Sequence, residues 1–337
     1  MSTTEKDVAA FIDAHQKILI IQADNPDGDS LASSLALEHI LGDMGKTPLL
    51  YCAVAIPTYL RYMDGWDRVM SELPHDFDAS IIVDTSSVSL FETLQKNQQL
   101  GWLAQKPCLV IDHHATEATI DFANVYYNQP KVATGEVIYG LAIKNKWPLN
   151  SVANDMLATS ILADSLGLMS EATTAETFQV MTNLVSSGVS MARLDAARRE
   201  LMKKSSRILA YKGALLQRVT YHCNNKVAMV TIPWEEIEEY SHEYNPSILV
   251  LDEMRMVENV ALAIAFKTYP DGKITAKIRA NYGFAIAGAL AEAFGGGGHA
   301  YASGFKLQNG STLDFVRNQC IEKANELLTE LPKSEDT

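Results

Sequence analysis

Cys108-Leu109-Val110-Ile111-Asp112-His113-His114 joins a short aliphatic run to an aspartate and two histidines. Three other aliphatic runs in the first half of the chain are also followed by aspartates: residues 18–21 by Asp27 and Asp29, residues 80–83 by Asp84, and residues 156–163 by Asp164. Short aliphatic runs that are bounded by turn residues and separated by helix-length segments are typical of buried parallel strands. The recurrence predicts an α/β sheet with acidic and histidine side chains at its strand ends.

Strand ends that are far apart in sequence can meet in space, because the ligand crevice of an open α/β sheet lies outside the carboxyl ends of its strands. Carboxylates crowded at one such edge repel one another and raise their own pKa values unless a cation neutralises them. Carboxylate oxygen and imidazole suit Mn²⁺, and two such ions about 3.5–4 Å apart promote in-line displacement at phosphorus. We therefore expect a two-metal site built from Asp27, Asp29, Asp84, His113 and Asp164.

Each of these residues also has an ordinary structural explanation. Asp29 or Ser30 could cap a helix, and Asp84 and Asp164 could form turns at strand ends. The histidines could be hydrogen-bonded surface residues. Four such clusters within one domain favour the metal site over four separate coincidences.

The composition excludes several classes of protein. A length of 337 residues exceeds the usual size of a single core and predicts two domains. A formal net charge of −13 argues against a broad surface for long duplex nucleic acid, whereas small anionic substrates are compatible with it. Four scattered cysteines without a CxxC pair indicate reduced thiols in a cytoplasmic protein, and no apolar run is long enough to cross a membrane.

The hydrophobic patterns divide the chain into four segments. Residues 1–189 alternate strands with helices at 30–42, 134–145 and 151–163, and they predict a doubly wound, mainly parallel sheet. Ser30 is the expected cap of the first of these helices. Residues 190–213 form an amphipathic stretch that predicts a single connector helix. Residues 214–330 predict a smaller α+β domain that begins with a strand over 214–221, and residues 331–337 predict a frayed tail.

A basic run overlaps the connector. Eight Lys and Arg residues lie between positions 193 and 218. Such a run is commonly the solvated face of a helix, and a basic wall that guides an anionic ligand is the alternative. The sequence leaves both interpretations open.

A glycine run, Gly295-Gly296-Gly297-Gly298, precedes His299 and follows an apolar helical segment over 285–294. Glycine permits left-handed backbone and lets N–H groups approach an anion closely. A helix end needs only one glycine, so four of them followed by a histidine predict a ligand loop. Arg279, near the end of a predicted strand just upstream, could clamp a phosphate with two hydrogen bonds.

Taken in order, these motifs resemble those of the DHH phosphoesterases that carry a DHH-associated C-terminal domain. The matching segments are Asn25-Pro26-Asp27-Gly28-Asp29-Ser30, Asp84, Asp112-His113-His114, Ala163-Asp164-Ser165 and Gly295-Gly296-Gly297-Gly298-His299. The resemblance runs from about residue 15 to residue 330. Within the family the likeness is greatest to the bacterial oligoribonuclease and PAP phosphatase type, also called nanoRNase.

The resemblance implies a Mn²⁺-dependent hydrolase with two ions, for which Mg²⁺ or Co²⁺ are alternatives. Its substrates would be very short oligonucleotides, 3′-phosphoadenosine 5′-phosphate or di-adenylates, and the protein would form a homodimer. The implied metal ligands are Asp27, Asp29, Asp84, His113 and Asp164, with Asp84 between the ions. His114 would contact the scissile phosphate, and Asp112 would orient the two histidines. Arg279, Gly297, Gly298 and His299 would bind the nucleotide or its terminal phosphate.

One position departs from the family pattern. The first motif of the family begins with a histidine, and Ala23 stands at that position here. Asp24, Gln22 or water could replace the missing ligand, or one metal site could be weak. The departure motivates a competing hypothesis, a nucleotide-binding protein with weakened catalysis. A stand-alone cyclic dinucleotide phosphodiesterase is a further alternative, whereas a pyrophosphatase is disfavoured because it lacks the GGGGH domain.

Overall fold

The computed structural model describes residues 3–115 and 118–331 of the chain. The chain folds as two compact units, Met1–Lys203 and Lys204–Thr337. The boundary falls inside the segment predicted to be a connector. Apart from Leu331, the predicted tail lies outside the described residues. Among these residues, no helix has both the length and the apolar character needed to cross a bilayer.

The described part of the first unit contains a five-stranded sheet and eight α-helices. Its strands are β1 (Lys17–Ile21), β2 (Thr47–Tyr51), β3 (Ala79–Val83), β4 (Cys108–Asp112) and β5 (Val125–Asn128). Its helices are α1 (Glu5–Ala14), α2 (Gly28–Asp43), α3 (Glu92–Lys96), α4 (Leu100–Leu103), α5 (Thr134–Asn145), α6 (Ser151–Asp164), α7 (Ala175–Ser186) and α8 (Met191–Leu201). The strand order is β2-β1-β3-β4-β5, and every neighbouring pair is parallel. The predicted parallel sheet is confirmed.

Both faces of this sheet are covered, which explains why its three inner strands, β1, β3 and β4, are nearly continuous aliphatic runs. Ile18 and Ile20 of β1 belong to the same apolar cluster as Leu35 of α2. Leu19 and Ile21 point to the other face, where they belong to a second cluster with residues of α3 and α4. Side chains alternate along a strand, so each buried strand contributes to both layers.

Glycines allow the helices on one face to approach closely. A Cβ on Gly28 of α2 would lie 2.6 Å from the Cβ of Ala163 in α6. A Cβ on Gly135 of α5 would lie 2.1 Å from Oγ of Ser160 in α6. These distances are too short for real atoms, so α2, α5 and α6 can meet this way only through glycine at both positions.

Two expectations about this unit are wrong. The cap of α2 is Asp27 rather than Ser30, because Oδ1 of Asp27 accepts a hydrogen bond from the Ser30 N–H at 3.0 Å. The helix predicted over 151–163 is confirmed as α6, so Asp164 ends a helix and does not follow one of the buried strands with which its aliphatic run was grouped. Residues 153–161 of that helix are buried on all sides, and a helix buried all round lacks the polar stripe that distinguishes it from a buried strand.

In the second unit, the residues described up to 331 form a six-stranded sheet and five helices. Its strands are β6 (Thr220–His222), β7 (Val227–Ile232), β8 (Leu262–Thr268), β9 (Ile274–Ala280), β10 (Gly297–His299) and β11 (Ala302–Leu307). Its helices are α9 (Ser206–Gln217), α10 (Trp234–Tyr240), α11 (Pro246–Arg255), α12 (Ala287–Glu292) and α13 (Leu313–Glu330). The strand order is β10-β11-β9-β8-β7-β6, and only β7 and β8 are parallel. Helices α12 and α13 pack on one face, and α9, α10 and α11 on the other.

Three predictions near the unit boundary and the glycine run need correction. The connector is two helices, α8 and α9, because Ser205 caps a new helix through the N–H of Ile208. The strand predicted over 214–221 is helical up to Gln217, where Ile208, Tyr211 and Leu215 form one buried helical stripe. The predicted glycine loop is in part a strand, since β10 pairs with β11.

Candidate functional site

Four of the predicted metal ligands converge at one edge of the parallel sheet. Asp84 and His113 follow strands β3 and β4, Asp29 lies in the first turn of α2, and Asp164 ends α6. Together with His114, these residues form two overlapping groups, and within each group one ligand atom from every residue lies within 4.8 Å of the others. The first group is Asp29, His113 and Asp164, and the second is Asp84, His113 and His114. His113 therefore belongs to both groups.

The imidazole of His113 lies at the centre of the cluster. Its Nε2 is 3.6 Å from Oδ2 of Asp29, 3.4 Å from Oδ1 of Asp84 and 3.3 Å from Oδ2 of Asp164. Its Nδ1 lies 3.0 Å from the carbonyl oxygen of Lys131. A carbonyl only accepts, so Nδ1 donates, and Nε2 is directed at the three carboxylates. Among the described residues, Nε2 is buried without a hydrogen-bond partner.

The electrostatics of the cluster favour a cation. Burial, followed by the charge of Asp164, raises the pKa of Asp29. Burial and the charge of Asp29 raise the pKa of Asp84 well above its usual value. Burial opposes the charged form of His113, but the nearby carboxylates of Asp164 and Asp84 outweigh burial and raise its pKa to about 11. Carboxylates that hold a proton on a buried imidazole this strongly would also attract a divalent cation.

The carboxylate of Asp112 orients both His113 and His114. Its carboxylate is fully buried, and its Oδ1 accepts from the His113 N–H at 2.8 Å and from Nδ1 of His114 at 2.8 Å. Burial opposes its ionisation, but the hydrogen bonds from His114 and from the backbone outweigh burial and lower its pKa. The hydrogen bond to Asp112 raises the pKa of His114 in turn. Asp112 thus fixes which nitrogen of His114 faces away from it.

The carboxylate of Asp29 is held by three residues that sequence reasoning missed: Ser33 of its own helix α2, Thr134 of α5 and Ser160 of α6. Oδ1 accepts from Oγ of Ser33 at 2.9 Å and from Oγ of Ser160 at 2.5 Å. Oδ2 accepts from the N–H of Thr134 at 2.7 Å, and the hydroxyl of Thr134 donates to Oδ1 of Asp84 at 3.1 Å. The available signal was a hydroxyl residue inside an otherwise apolar helix, as at Ser33 and Ser160.

Asp84 turns away from its strand in a left-handed conformation. Its φ is 61°, which is unusual for a residue with a side chain but tolerated by Asp and Asn. Its N–H still bonds to the carbonyl of Ile111 at 3.0 Å. The strand pairing therefore continues up to the residue at which the carboxylate enters the cluster.

A pocket of about 280 Å³ shares Asp84 and His114 with the cluster. Asp27 and Ala23 also line it. Asp27 lies close enough to contribute to the raised pKa of Asp84, yet it belongs to neither tight group of ligand atoms among the described residues. The other lining residues are mostly hydroxyl-bearing: Ser30, Thr85, Ser86, Ser87 and Ser89, with Asn25 and Leu90.

The two residues considered as substitutes for the missing histidine lie elsewhere. Oδ2 of Asp24 accepts from the N–H of Thr93 at 2.7 Å at the start of α3, whereas its Oδ1 is buried with no hydrogen-bond partner among the described residues. Gln22 is fully buried, and neither of its side-chain polar atoms has a hydrogen-bond partner among the described residues. Neither residue lines the pocket. The space beside Ala23 is thus bordered by Asp27 and hydroxyl groups rather than by an extra strong ligand.

The predicted phosphate-binding residues lie in the second unit. Arg279 of β9 is opposite Ala302 of β11, and Ala302 is opposite His299 of β10. Directly opposed residues project from the same face of a sheet, so Arg279 and His299 share a face. Gly298 has φ 135°, and a Cβ there would lie 2.7 Å from the carbonyl oxygen of Ala302. Close strand packing is therefore one reason for the glycine run.

Sequence comparison connects these features to known proteins. The profile of the DHH family N-terminal domain matches residues 17–163, and that of the DHHA1 domain matches residues 225–331. The chain is 25% identical over 312 residues to the bifunctional oligoribonuclease and PAP phosphatase NrnA of Thermus thermophilus, covering 90% of this chain and 88% of the relative. It is 21% identical over 308 residues to the protein of the same description from Bacillus subtilis, covering 90% and 94%.

A solved structure shares the fold. An exopolyphosphatase-related protein from Bacteroides fragilis superposes with a TM-score of 0.81 at 20% identity, and the match covers 97% of each chain. At this level of identity, the similarity establishes the common architecture of the two chains.

Proposed function

Because this chain belongs to the DHH family and carries a DHHA1 domain, we propose that it is a metal-dependent phosphoesterase of very short oligonucleotides or 3′-phosphoadenosine 5′-phosphate. The substrates are those in the descriptions of the NrnA relatives, which match about nine tenths of the chain. The single observation that carries the proposal is the position of His113 Nε2, within 3.6 Å of three carboxylates.

The donor set fits a hard or borderline divalent cation. Asp29, Asp84, His113 and Asp164 would hold it, and Asp27 would add a carboxylate from the pocket side. A buried imidazole nitrogen without a hydrogen-bond partner is itself a reason to place a cation there. We propose Mn²⁺, because imidazole suits it better than it suits Mg²⁺. When bound, such ions polarise a phosphoryl oxygen and make water a stronger nucleophile at neutral pH.

The protein groups around the cluster have separable tasks. His114 lines the pocket, and its Nδ1 is held by Asp112, so Nε2 is the nitrogen available to a phosphate oxygen. Because Asp112 raises the pKa of His114, the imidazole more readily carries the positive charge that stabilises a phosphoryl group. Arg279 and His299, with Gly297 and Gly298, are proposed to bind a nucleotide phosphate in the second unit.

A second candidate is a nucleotide-binding protein with weakened catalysis. Ala23 lines the pocket and offers no ligand, and Asp27 lies outside both tight groups of ligand atoms. One of two ions would therefore be held by few protein atoms. Full occupancy of two ions in anomalous scattering from a Mn²⁺-soaked crystal would contradict this candidate, whereas a single ion would support it.

A substrate panel tests the first candidate. Purified protein is assayed with a 5′-phosphorylated dinucleotide, 3′-phosphoadenosine 5′-phosphate and cyclic di-AMP, each with Mn²⁺, Mg²⁺ or Co²⁺. We expect turnover of the first two that is fastest with Mn²⁺, and none in the Asp84→Asn variant. Absence of turnover for every combination would refute the proposal. Turnover of cyclic di-AMP alone would favour a cyclic dinucleotide phosphodiesterase.

A further inference from the structure

Glu136 is a buried acidic residue that is not one of the proposed metal ligands. It lies in the first turn of α5 and is 3% exposed. Burying a carboxylate is costly unless it is paired and hydrogen-bonded. Its Oε2 accepts from the hydroxyl of Thr177 at 3.0 Å and from the N–H of Val132 at 3.4 Å. Its Oε1 lies 3.8 Å from the amine of Lys131 and has no hydrogen-bond partner among the described residues. The carboxylate therefore contacts two consecutive residues of the segment that precedes α5.

The contact with Val132 leads to a proposed metal ligand through one peptide group. The peptide group that joins Lys131 to Val132 consists of the Lys131 carbonyl and the Val132 N–H. The carbonyl accepts from Nδ1 of His113 at 3.0 Å, and the N–H donates to Oε2 of Glu136 at 3.4 Å. A peptide group is planar and rigid, so the orientation of its N–H determines that of its carbonyl. Glu136 and His113 are thus connected through a single rigid unit.

The same segment contacts two further ligands. The N–H of Thr134 donates to Oδ2 of Asp29 at 2.7 Å, and its hydroxyl donates to Oδ1 of Asp84 at 3.1 Å. Residues 131–134 therefore hydrogen-bond to three of the proposed metal ligands. A shift of this segment would displace the partners of all three at once, so a residue that holds the segment in place affects the whole cluster.

Glu136 also has an ordinary explanation as an acidic residue at the start of a helix. Acidic side chains stabilise the first turn, and a glutamate at the third helical position commonly accepts from the N–H of the capping residue. Glu136 is the third residue of α5, and the cap is Ala133. Its hydrogen bonds go instead to Val132, one residue before the cap, and to Thr177 of α7. The side chain therefore extends past the helix start to the peptide group that contacts His113.

We propose that Glu136 is a positioning residue for the metal site. Its carboxylate fixes the peptide group between Lys131 and Val132, and the carbonyl of that group holds the ring of His113 with Nδ1 as the donor. Groups that accept from the second nitrogen of a ligating histidine orient its ring and strengthen it as a ligand. A hydrogen bond to the N–H of a peptide group also polarises the group and makes its carbonyl a better acceptor. The inference rests on the proposed function, because it takes His113 as a metal ligand.

Two substitutions that separate side-chain length from charge test this role. Glu136→Gln keeps the length and an oxygen that accepts from the Val132 N–H, but it removes the charge. Glu136→Asp keeps the charge, but it is one methylene shorter and draws the carboxylate away from the peptide group. Calorimetry of the full chain with Mn²⁺ should show about a tenfold loss of affinity in Glu136→Asp and a smaller loss in Glu136→Gln. The reverse order would assign the effect to charge and overturn the positioning role, as would unchanged affinity in both variants.

Two control variants separate positioning from stability and from the ion pairs of Lys131. Thr177→Val removes the other hydrogen bond to Oε2 but leaves the peptide contact, so it should lower the unfolding midpoint with little change in Mn²⁺ affinity. Glu176→Gln removes the partner of Lys131 that is 74% exposed, and it should change neither quantity. If Thr177→Val loses as much Mn²⁺ affinity as Glu136→Asp, the loss follows stability and the role proposed for Glu136 is wrong.

A second readout requires no metal. In metal-free protein labelled with the nitrogen isotope ¹⁵N, the Nδ1–H proton of His113 is identified by its absence in His113→Asn. Its resonance should move upfield and exchange faster with water in Glu136→Asp, because the carbonyl that accepts it is less well aligned. Glu136→Gln should keep the wild-type resonance. An unchanged resonance in Glu136→Asp would contradict the link. If Glu136→Asp does not fold, loss of the resonance in folded Glu136→Gln would overturn it.

The outcomes separate this inference from the proposed function. If wild type hydrolyses nothing in the substrate panel but the His113 resonance shifts in Glu136→Asp alone, the link from Glu136 to His113 is correct and the proposed function is wrong. If wild type hydrolyses the panel substrates and Glu136→Asp keeps both the resonance and the Mn²⁺ affinity, the proposed function stands and the positioning role is wrong.

Discussion

Oγ of Ser160 donates a hydrogen bond to Oδ1 of Asp29 at 2.5 Å and joins two buried residues that are 131 positions apart. The same Oγ accepts from the N–H of Gly135 at 2.9 Å. One hydroxyl therefore connects α2, α5 and α6 at the base of the acidic cluster. Its location fixes the orientation of a carboxylate that has no exposed surface.

Replacing Ser160 with alanine should weaken metal binding. Asp29 would lose a donor, and groups that orient metal ligands typically contribute 10- to 100-fold to affinity. We expect a loss of roughly that size in Mn²⁺ affinity, measured by calorimetry. Ser34→Ala is the matched control, because the Ser34 hydroxyl donates to the Ser30 carbonyl within its own helix and does not contact Asp29 among the described residues. Equal affinity in the two variants would contradict the role of Ser160.

Asp84→Asn should separate stability from activity. Asparagine tolerates the left-handed backbone of this position, and the change removes a charge that burial and Asp29 disfavour. We expect the free energy of unfolding of the metal-free variant to be at least as large as that of metal-free wild type. Wild type should gain about 2.7 kcal/mol at a Mn²⁺ concentration of about 100 times Kd, by mass action. Denaturant titrations with and without Mn²⁺ would measure both effects, and an equal Mn²⁺ response in the variant would count against Asp84 as a ligand.

Ala23→His tests the departure from the family motif. Ala23 lines the pocket that Asp27 and Asp84 also border, so an imidazole there would add a ligand on the side with the fewest. We expect tighter Mn²⁺ binding and up to about tenfold faster turnover, since one good ligand is worth on the order of 1.4 kcal/mol. Ala23→Gln controls for bulk without imidazole. An unchanged activity in Ala23→His would mean that water or an existing side chain already completes the site.

Gly298→Ala should destabilise the second unit. The residue has φ 135°, and a Cβ would lie 2.7 Å from the Ala302 carbonyl oxygen. Strain of this kind costs about 1–3 kcal/mol. Gly297→Ala is the control, because a Cβ there would have nothing within 4 Å. Comparable unfolding midpoints for the two variants would show that the β10–β11 strand pair shifts to accommodate a side chain at position 298 more easily than its packing indicates.

The folding stability of the protein should depend on pH through Asp78, which is not part of the acidic cluster. Its Oδ2 accepts from the backbone N–H of Lys17 at 2.7 Å and of Gln16 at 3.1 Å, and these bonds lower its pKa. A lowered pKa contributes stability that is complete above the unfolded value of about 3.9 and is lost as pH falls through the folded value. Asp78→Asn should therefore be less stable than wild type at pH 7, and the difference should shrink below about pH 4.

Denaturant midpoints at pH 7 and pH 3 measure this change. Asp76→Asn is the control, since Asp76 is 92% exposed and meets only the Lys17 amine. Its effect should be small at both values of pH. A constant difference between wild type and Asp78→Asn would exclude the carboxylate as its source.

The strand ends of the first sheet were predictable because both faces of that sheet are buried. Residues 80–83 and 108–111 are continuous aliphatic runs, and β3 and β4 match them within one residue at each end. Asp84 and His113 follow these strands directly, so their meeting follows from parallel topology. Asp164 also lies at this edge, but it ends helix α6 and does not follow a strand. Residues 153–161 of that helix are all buried, so the sequence has no polar stripe that would distinguish this run from a buried strand.

Other features depend on contacts that leave no local pattern. Ser160 and Thr134 hold Asp29 only because α5 and α6 approach α2 closely, and no spacing along the chain encodes that approach. The break between α8 and α9 depends on one capping serine within a continuous amphipathic pattern.

The absence of a side chain at Gly28 and Gly135 has a genetic consequence. Both residues sit where α2, α5 and α6 touch, and neither belongs to the acidic cluster itself. A larger residue at Gly28 would separate α2 from α6, the helices that carry Asp29 and Ser160, and a larger residue at Gly135 would separate α5 from α6 at Ser160 itself. A random mutagenesis screen for loss of activity should therefore return alleles at these two positions about as readily as at the aspartates. Such alleles would resemble catalytic mutants in phenotype while arising from displaced helices.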